Sequence, residues 1–426
     1  MPEQPTSLQQ ESRLRNLPRY GPAAPTTVCW RVRGALDPVA LERALHDALA
    51  RHDALRTYFP GLHPTRCTVL DPDRLGRVLH VLPGTGADPV AQVRAALTPV
   101  FDLTTGPLVR AVLLPEAPGS WLFGIAADHA VWDMLSLPTF TRDLAACYAG
   151  TADGLPAPVS YADLAARQRE RFEGEWGRRC ERFWFERFDR VGGYPAECPL
   201  PARGTAPSGH SDTVLTRALD GAALTGLCRA HRSSPFGVLA ALVLDTALRR
   251  TGARAAGLVT DVHGRVLPGS AAAVGLFAHG APVTLAREPG ATLGESVAAV
   301  RADVLDTLDH AVPLRGLTES WRARTGNAPA STSLYFSADE DRRIGGLVLP
   351  GADVAHVPLY EGGVAQPGRA GTMLALHAAT EGPAPVLEAQ FAPEVFAAPD
   401  VADLLDTVVA ALASARQPIS VERESR

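Results

Sequence analysis

Two near-continuous apolar runs, LVRAVLL at 108–114 and WLFGIAA at 121–127, constrain the fold of this chain more than any other feature. Short apolar runs bounded by turn residues suit buried strands, and the Pro118-Gly119 dipeptide between them sets an antiparallel turn. The second run leads directly into Asp128-His129, and apolar spacing predicts a helix over 137–148. His129 and Asp133 therefore fall in a strand-to-helix loop, a common place for functional side chains.

The same strand-then-helix rhythm occurs elsewhere. Residues 27–32 alternate as a strand does, and residues 38–50 repeat apolar positions at helical spacing before Arg51-His52. Stretches rich in Gly, Pro, Ala and Asp at 149–158, and in Pro and Gly at 192–209, bracket an arginine- and glutamate-rich helix carrying Phe183, Trp184 and Phe188. A strand over 212–219, a helix over 235–250 and a last helix near 401–415 mark the second half. At 426 residues the chain exceeds one ordinary core. Two mixed α/β lobes are expected, residues 1–175 and 176–426, with the second Pro/Gly-rich stretch a loop of the latter. No internal repeat is visible.

Several function classes are excluded. The net charge is −5 and basic residues are not clustered, which argues against a nucleic-acid surface. The sequence contains no lysine, so all 41 basic residues are arginine, and neither a phosphate-loop lysine nor a Schiff-base mechanism is available. No apolar stretch is long enough for a membrane span; the best candidate, 236–248, is interrupted by Asp245. The N-terminus has no basic segment followed by an apolar one, so no secretory signal is read and a cytoplasmic location is expected. Six scattered cysteines without Cys-x-x-Cys spacing read as reduced, mostly buried thiols. The sequence holds no zinc motif HExxH, nucleophile elbow GxSxG or dinucleotide turn GxGxxG, and Gly84-Thr85-Gly86 before Asp88-Pro89 reads as a turn.

A family resemblance covers almost the whole chain. Residues 51–59, RHDALRTYF, resemble an RHExLRTxF segment, and Phe101-Asp102-Leu103 with residues 106–110, GPLVR, resemble FDLxxGPLxR. His129-Ala130-Val131-Trp132-Asp133 resembles the core of HHxxxDG, and residues 161–165, YADLA, resemble YxDxA. Gly264-Arg265, followed by residues 274–277, VGLF, and Pro282, is similar to GR…VGxFxNxxP; residues 309–313 match HQDxPF more loosely. In this order the motifs resemble the condensation domains of nonribosomal peptide synthesis, within the acyltransferases that bear HHxxxDG. The resemblance implies two chloramphenicol-acetyltransferase-like lobes with mixed sheets, arranged as a V, with a central tunnel.

It also implies residue roles. His129 would accept a proton from, or hydrogen-bond, an amine or hydroxyl attacking a thioester, which suits a neutral imidazole. Asp133 would be a loop anchor paired with Arg265, structural rather than catalytic. The departures are Asp128 in place of the first motif histidine and Met134 in place of the glycine, with Ser136 retained, His279 where asparagine is common, and Ser337-Ala338 in place of an aromatic-glutamine pair. Asp128, Met134, Ser136, His279 and Ser337 are thus the expected tunnel-lining residues.

The expected activity is that of a free-standing condensation enzyme. It would join an acyl or aminoacyl group from the phosphopantetheine of a carrier protein, supplied in trans, to an amine or alcohol. No metal or other cofactor bound by the chain itself is implied, because a thiol leaving group and a histidine suffice for acyl transfer. Two alternatives stand beside it: a silent relative that docks a carrier protein or tailoring enzyme, favoured by Asp128 and Met134, and an acyltransferase using coenzyme A. Retention of His129, Asp133 and Arg265 favours catalysis.

Overall fold

The computed structural model describes residues 3–20, 24–84, 88–191, 193, 198–203, 213–287, 290–326, 332–338, 346–359, 373–380 and 384–415. The chain divides into two compact units. The first comprises residues 1–181, 263–279 and 341–362; the second comprises 182–262, 280–340 and 363–426. The expected division at residue 175 into two contiguous lobes differs from this arrangement, because two later segments return to the first unit. For the later segment the reason is non-local strand pairing, since Ala352–His356 adds antiparallel to Thr26–Gly34 with Val354 opposite Val32; residues 265–278 are held by bonds to Asp133 and Ser136. Local periodicity carries no trace of such a pairing.

In the first unit the two apolar runs form the strands Val109–Ala117 and Ser120–Ala127 at the heart of a five-stranded sheet. Its order is 352–356, 26–34, 120–127, 109–117, 79–81; the last pair is parallel and the others antiparallel. One face buries Trp30, Phe123 and Ile125 against the helices Pro38–Arg51 and Leu137–Ala149. The helix Pro38–Arg51 forms because Asp37 caps it by accepting from Val39 N at 2.9 Å, with a proline at its start. It turns Leu41, Ala44, Leu45, Ala48 and Leu49 inward at three- and four-residue spacing. The helix Pro89–Leu97 covers the other face of the sheet through Val93 and Leu97, and a small antiparallel sheet of 3–5, 66–69 and 57–58 and the helices Leu8–Tyr20 and Tyr161–Glu173 also belong to the unit.

The second unit is built on a six-stranded mixed sheet ordered 279–286, 255–262, 333–338, 373–379, 386–391, 213–218. Leu334, Phe336, Leu374, Leu376, Leu387 and Ala389 face a core that also holds the helices Pro235–Thr251 and Ala398–Ser414. Pro235–Thr251 is buried without interruption from Gly237 to Leu248. Asp245, the charge that interrupts this apolar segment, pairs with Arg249 at 2.9 Å and Arg287 at 2.8 Å. Among the described residues no helix is long and apolar enough to cross a membrane. The Pro/Gly-rich stretch at 192–209 lies mostly outside the described residues, as do residues 85–87 of the expected turn near Gly84.

The helices Pro38–Arg51 and Leu137–Ala149 are tied by a buried charge cluster. Asp143 accepts from His52 Nε2 at 3.1 Å, Arg51 Nε at 3.2 Å and Arg142 Nη2 at 2.6 Å. Burial pushes its carboxyl upward, but the bonds from His52, Arg142 and Arg51 outweigh burial and hold it down at about 2. A depressed folded-state value stabilises the native state above the unfolded-state value near 3.9, and that contribution is lost as pH falls towards 2. Denaturant unfolding should therefore show Asp143→Asn less stable than the native sequence by roughly 2 kcal/mol at pH 6, with the gap narrowing between pH 4 and 2; a gap independent of pH would refute the ionic origin.

Candidate active site

The loop after the apolar strand is set by backbone and carboxylate bonds. Asp128 N donates to Leu108 O at 2.9 Å, and Asp128 Oδ1 accepts from Ala130 N at 2.8 Å, which turns the chain away from the sheet. Gln10 Nε2 donates to Ala130 O at 2.9 Å, and Trp132 packs edge-on against Phe140. His129 is half-buried, with Nδ1 2.9 Å from the carbonyl of Trp132. A carbonyl only accepts, so Nδ1 carries the proton, and in the neutral ring Nε2 presents a lone pair.

Asp133 is held on both oxygens. Oδ1 accepts from Ser136 N at 3.0 Å and from Arg265 Nη2 at 2.7 Å; Oδ2 accepts from Phe277 N at 3.0 Å and Ala278 N at 3.1 Å. Arg265 directs Nη1 to the carbonyls of Ser270 and Ala273, and its guanidinium lies 4.3 Å from the centre of the Phe277 ring. The side chains of Asp133 and Arg265 are 2% and 5% exposed, so the pairing implied by the family resemblance is a buried one. Ser136 Oγ accepts from Gly275 N at 3.0 Å and is fully buried, so this serine closes the anchor. The glycines of these motifs are sterically required. A Cβ on Gly275, at φ +156, would lie 2.1 Å from the Tyr161 ring, and one on Gly264, at φ +62, 2.1 Å from Phe277 O.

The remaining expected lining residues fall in different settings. The Asp128 side chain, 3% exposed, receives Nε and Nη2 of Arg13 at 3.0 and 2.9 Å in a bidentate ion pair. Met134 opens a short 3₁₀ turn, 134–136, and packs partly against the first core. The described non-glycine residues with positive φ are Leu62 and Arg232, so the turn does not need the motif glycine here. His279 is half-buried, with Nδ1 3.0 Å from Phe277 O and 3.3 Å from Gln9 Nε2. Ser337 belongs to the second unit, where its Oγ is 2.8 Å from Nδ1 of His377.

Sequence reasoning did not identify Arg13, Gln10 or His377. The only signal for Arg13 was that a buried aspartate in place of a histidine needs a cation, and 41 arginines offered no way to choose. Among the described residues no group of three or more His, Cys, Asp or Glu side chains is placed to hold a metal. Burial pushes the thiols of Cys29 and Cys67 up to about 12, which leaves both as poor nucleophiles.

A family model described as the condensation domain matches residues 22–332. A dimodular nonribosomal peptide synthase of Bacillus subtilis is 33% identical over 230 residues, which is 50% of this chain and 10% of that protein. The phosphinothricin tripeptide synthetase PhsC of Streptomyces viridochromogenes is 31% identical over 290 residues, 64% of this chain and 26% of that protein. The chain thus spans a small share of these relatives. Among solved structures, the X-domain from teicoplanin biosynthesis superposes with a TM-score of 0.79 at 24% identity, covering 98% of this chain and 96% of its own. SgcC5 of Streptomyces globisporus gives 0.76 at 21% identity, covering 96% and 98%. These structures share the fold, with mixed sheets of the chloramphenicol-acetyltransferase type.

Removing Asp128 alone would strand Arg13 beside the loop. Asp128→Asn and Arg13→Gln, alone and together, should give a double-mutant coupling of about 1–3 kcal/mol in unfolding free energy; additive effects would mean the pair does not hold the loop. Asp133→Ala should cost more, roughly 3–5 kcal/mol, because it leaves Arg265 buried without its counter-charge.

Proposed function

The chain belongs to the condensation-domain family, and from that premise we propose that it is an acyltransferase forming an amide or ester bond from a thioester donor. The donor is an acyl or aminoacyl group on the phosphopantetheine of a carrier protein, and the acceptor is an amine or alcohol. What carries this reading is the His129–Trp132 bond, which supplies an oriented imidazole with a lone pair on Nε2.

The chemistry follows from that atom. The acceptor nitrogen or oxygen attacks the thioester carbon, its proton passes to Nε2, and the carbon–sulfur bond breaks as the tetrahedral species collapses. The proton then leaves with the thiolate. An amine acceptor must be neutral to attack, so for amines the imidazole contributes position as much as basicity. Asp133 does not touch reacting atoms in this scheme; it fixes the loop through Arg265 and the backbone at 277–278. No cofactor bound by the chain is needed, because the thiol is its own leaving group.

A second reading is supported by Asp128 and by the likeness to the teicoplanin X-domain, a protein whose structure is also known in a complex with OxyB. In that reading the fold serves as a docking module and transfers nothing.

Intact-mass measurement of acyl loss from a panel of loaded carrier proteins, with amines and alcohols as acceptors, separates the readings. Acceptor-dependent transfer that falls about 10²–10⁴-fold in His129→Ala supports catalysis. Carrier binding with no transfer in either protein supports docking. Equal transfer from acyl-coenzyme A and from the carrier would remove the requirement for a carrier protein.

A further inference from the structure

Two of the motifs that mark this chain, residues 51–59 and 161–165, have no part in the chemistry drawn from His129. Both nevertheless reach its loop inside the first unit. Asp53, from the earlier motif, accepts from Tyr161 N at 2.9 Å and, on its other oxygen, from Ala162 N at 3.0 Å and Ser160 Oγ at 2.8 Å. A carboxylate at the start of the helix Tyr161–Glu173 satisfies amides that have no partner within the helix, and it fixes where that helix begins. Tyr161 is thereby placed with its ring against Gly275 and its hydroxyl buried, 2.8 Å from Ser7 Oγ and 2.5 Å from the carbonyl of Leu276.

Ser7 passes the constraint on. At the start of the helix Leu8–Tyr20, Gln10 N donates to Ser7 Oγ at 3.1 Å and Ser7 N donates to Gln10 Oε1 at 3.0 Å, the reciprocal pattern of a capping box. That pattern uses only the oxygen of the Gln10 amide. Its nitrogen donates at 2.9 Å to the carbonyl of Ala130, the residue after His129. With both ends engaged and the residue 1% exposed, the amide has one orientation. A glutamate, the other residue favoured at this place in a capping box, would lack the donor. Arg13, one turn further along the same helix face, holds Asp128. The residues on both sides of His129 are therefore held by side chains of one helix, and that helix is seated through Ser7 on Tyr161.

We propose that Gln10 and Tyr161 are positioning residues for His129, acting through the hydrogen-bonded series Asp53, Tyr161, Ser7, Gln10 and Ala130. The effect on rate rests on the acyltransfer reading; the effect on the imidazole does not. Loss of a link lets the backbone at 128–130 shift and weakens the bond from His129 Nδ1 to the carbonyl of Trp132. Orientation at Nε2 is then lost, while affinity for donor and acceptor is kept. Gln10→Glu separates this role from helix stability, since glutamate keeps the acceptor for Ser7 N and lacks the donor for Ala130 O. Tyr161→Phe removes a single hydroxyl.

Two readouts on the full chain test this. The first is long-range proton–nitrogen correlation NMR on protein carrying isotope-labelled histidine, with the His129 signal assigned by its loss in His129→Ala. Native protein should show the Nδ1-protonated tautomer. Gln10→Glu and Tyr161→Phe should each move that signal towards a mixture of tautomers, with the signal of His377, in the second unit, unmoved. The second is acyl transfer from a loaded carrier, in which each variant should lower kcat roughly 10–100-fold at unchanged KM. Because Tyr161 acts through Gln10, the double variant should lose no more than Gln10→Glu alone. Circular dichroism establishes that each variant is folded; should Gln10→Glu not be, Gln10→Met, which also lacks the donor, takes its place. An unmoved His129 signal in both variants, a raised KM with kcat kept, or additive losses in the double variant overturn the proposal. A displaced His129 signal in the variants, with no transfer by the native protein from any loaded carrier, keeps the positioning and removes the catalytic reading, so the two failures are distinct.

Discussion

The anchor around Asp133 is the interaction on which the candidate site depends. Its carboxylate joins the loop after the strand Ser120–Ala127 to a segment more than 130 residues later, through Arg265 and the amides of Phe277 and Ala278. A buried ion pair is a weak source of net stability, because desolvation consumes most of the Coulombic gain. Its effect is on geometry. With both oxygens engaged and Ser136 bridging to Gly275, the loop has no low-cost alternative conformation, and the imidazole one turn upstream inherits that rigidity. Close approach of Gly264 and Gly275 to their neighbours is what lets the later segment come near enough.

Asp128 shows how such a frame absorbs a change of residue type. A carboxylate at this buried position would be costly alone, but Arg13 satisfies it in a bidentate fork and Ala130 N takes a further lone pair. The loop is therefore braced from a second side by the helix Leu8–Tyr20, which also sends Gln10 to the carbonyl of Ala130. The exchange of a histidine for an aspartate thus reads as one ion pair added to the scaffold, with the hydrogen bond that orients His129 intact.

The sequence made some of this legible and not the rest, for a physical reason. The hairpin 109–127, the helix after it and the position of His129 between them follow from short-range periodicity, which burial imposes directly. The pairing of Arg265 with Asp133 came only through family resemblance, since no local pattern links residues so far apart. The return of residues 341–362 to the first unit, the partner of Asp128 and the register of Ser337 with His377 were not visible at all. Each is set by which strand or helix lies beside which, and an isolated arginine or histidine looks the same in the sequence whichever neighbour it meets.

The two units bury polarity in different ways. In the first, Asp128, Asp133, Ser136 and the two terminal nitrogens of Arg265 are engaged in holding a loop by partners within the unit. In the second, buried polar groups of the sheet include Ser337 and His377, which bond from strand to strand. Rigid groups suit a reaction step, which gains from fixed orientation. Substitutions in the Asp133 anchor should therefore lower stability and rate together.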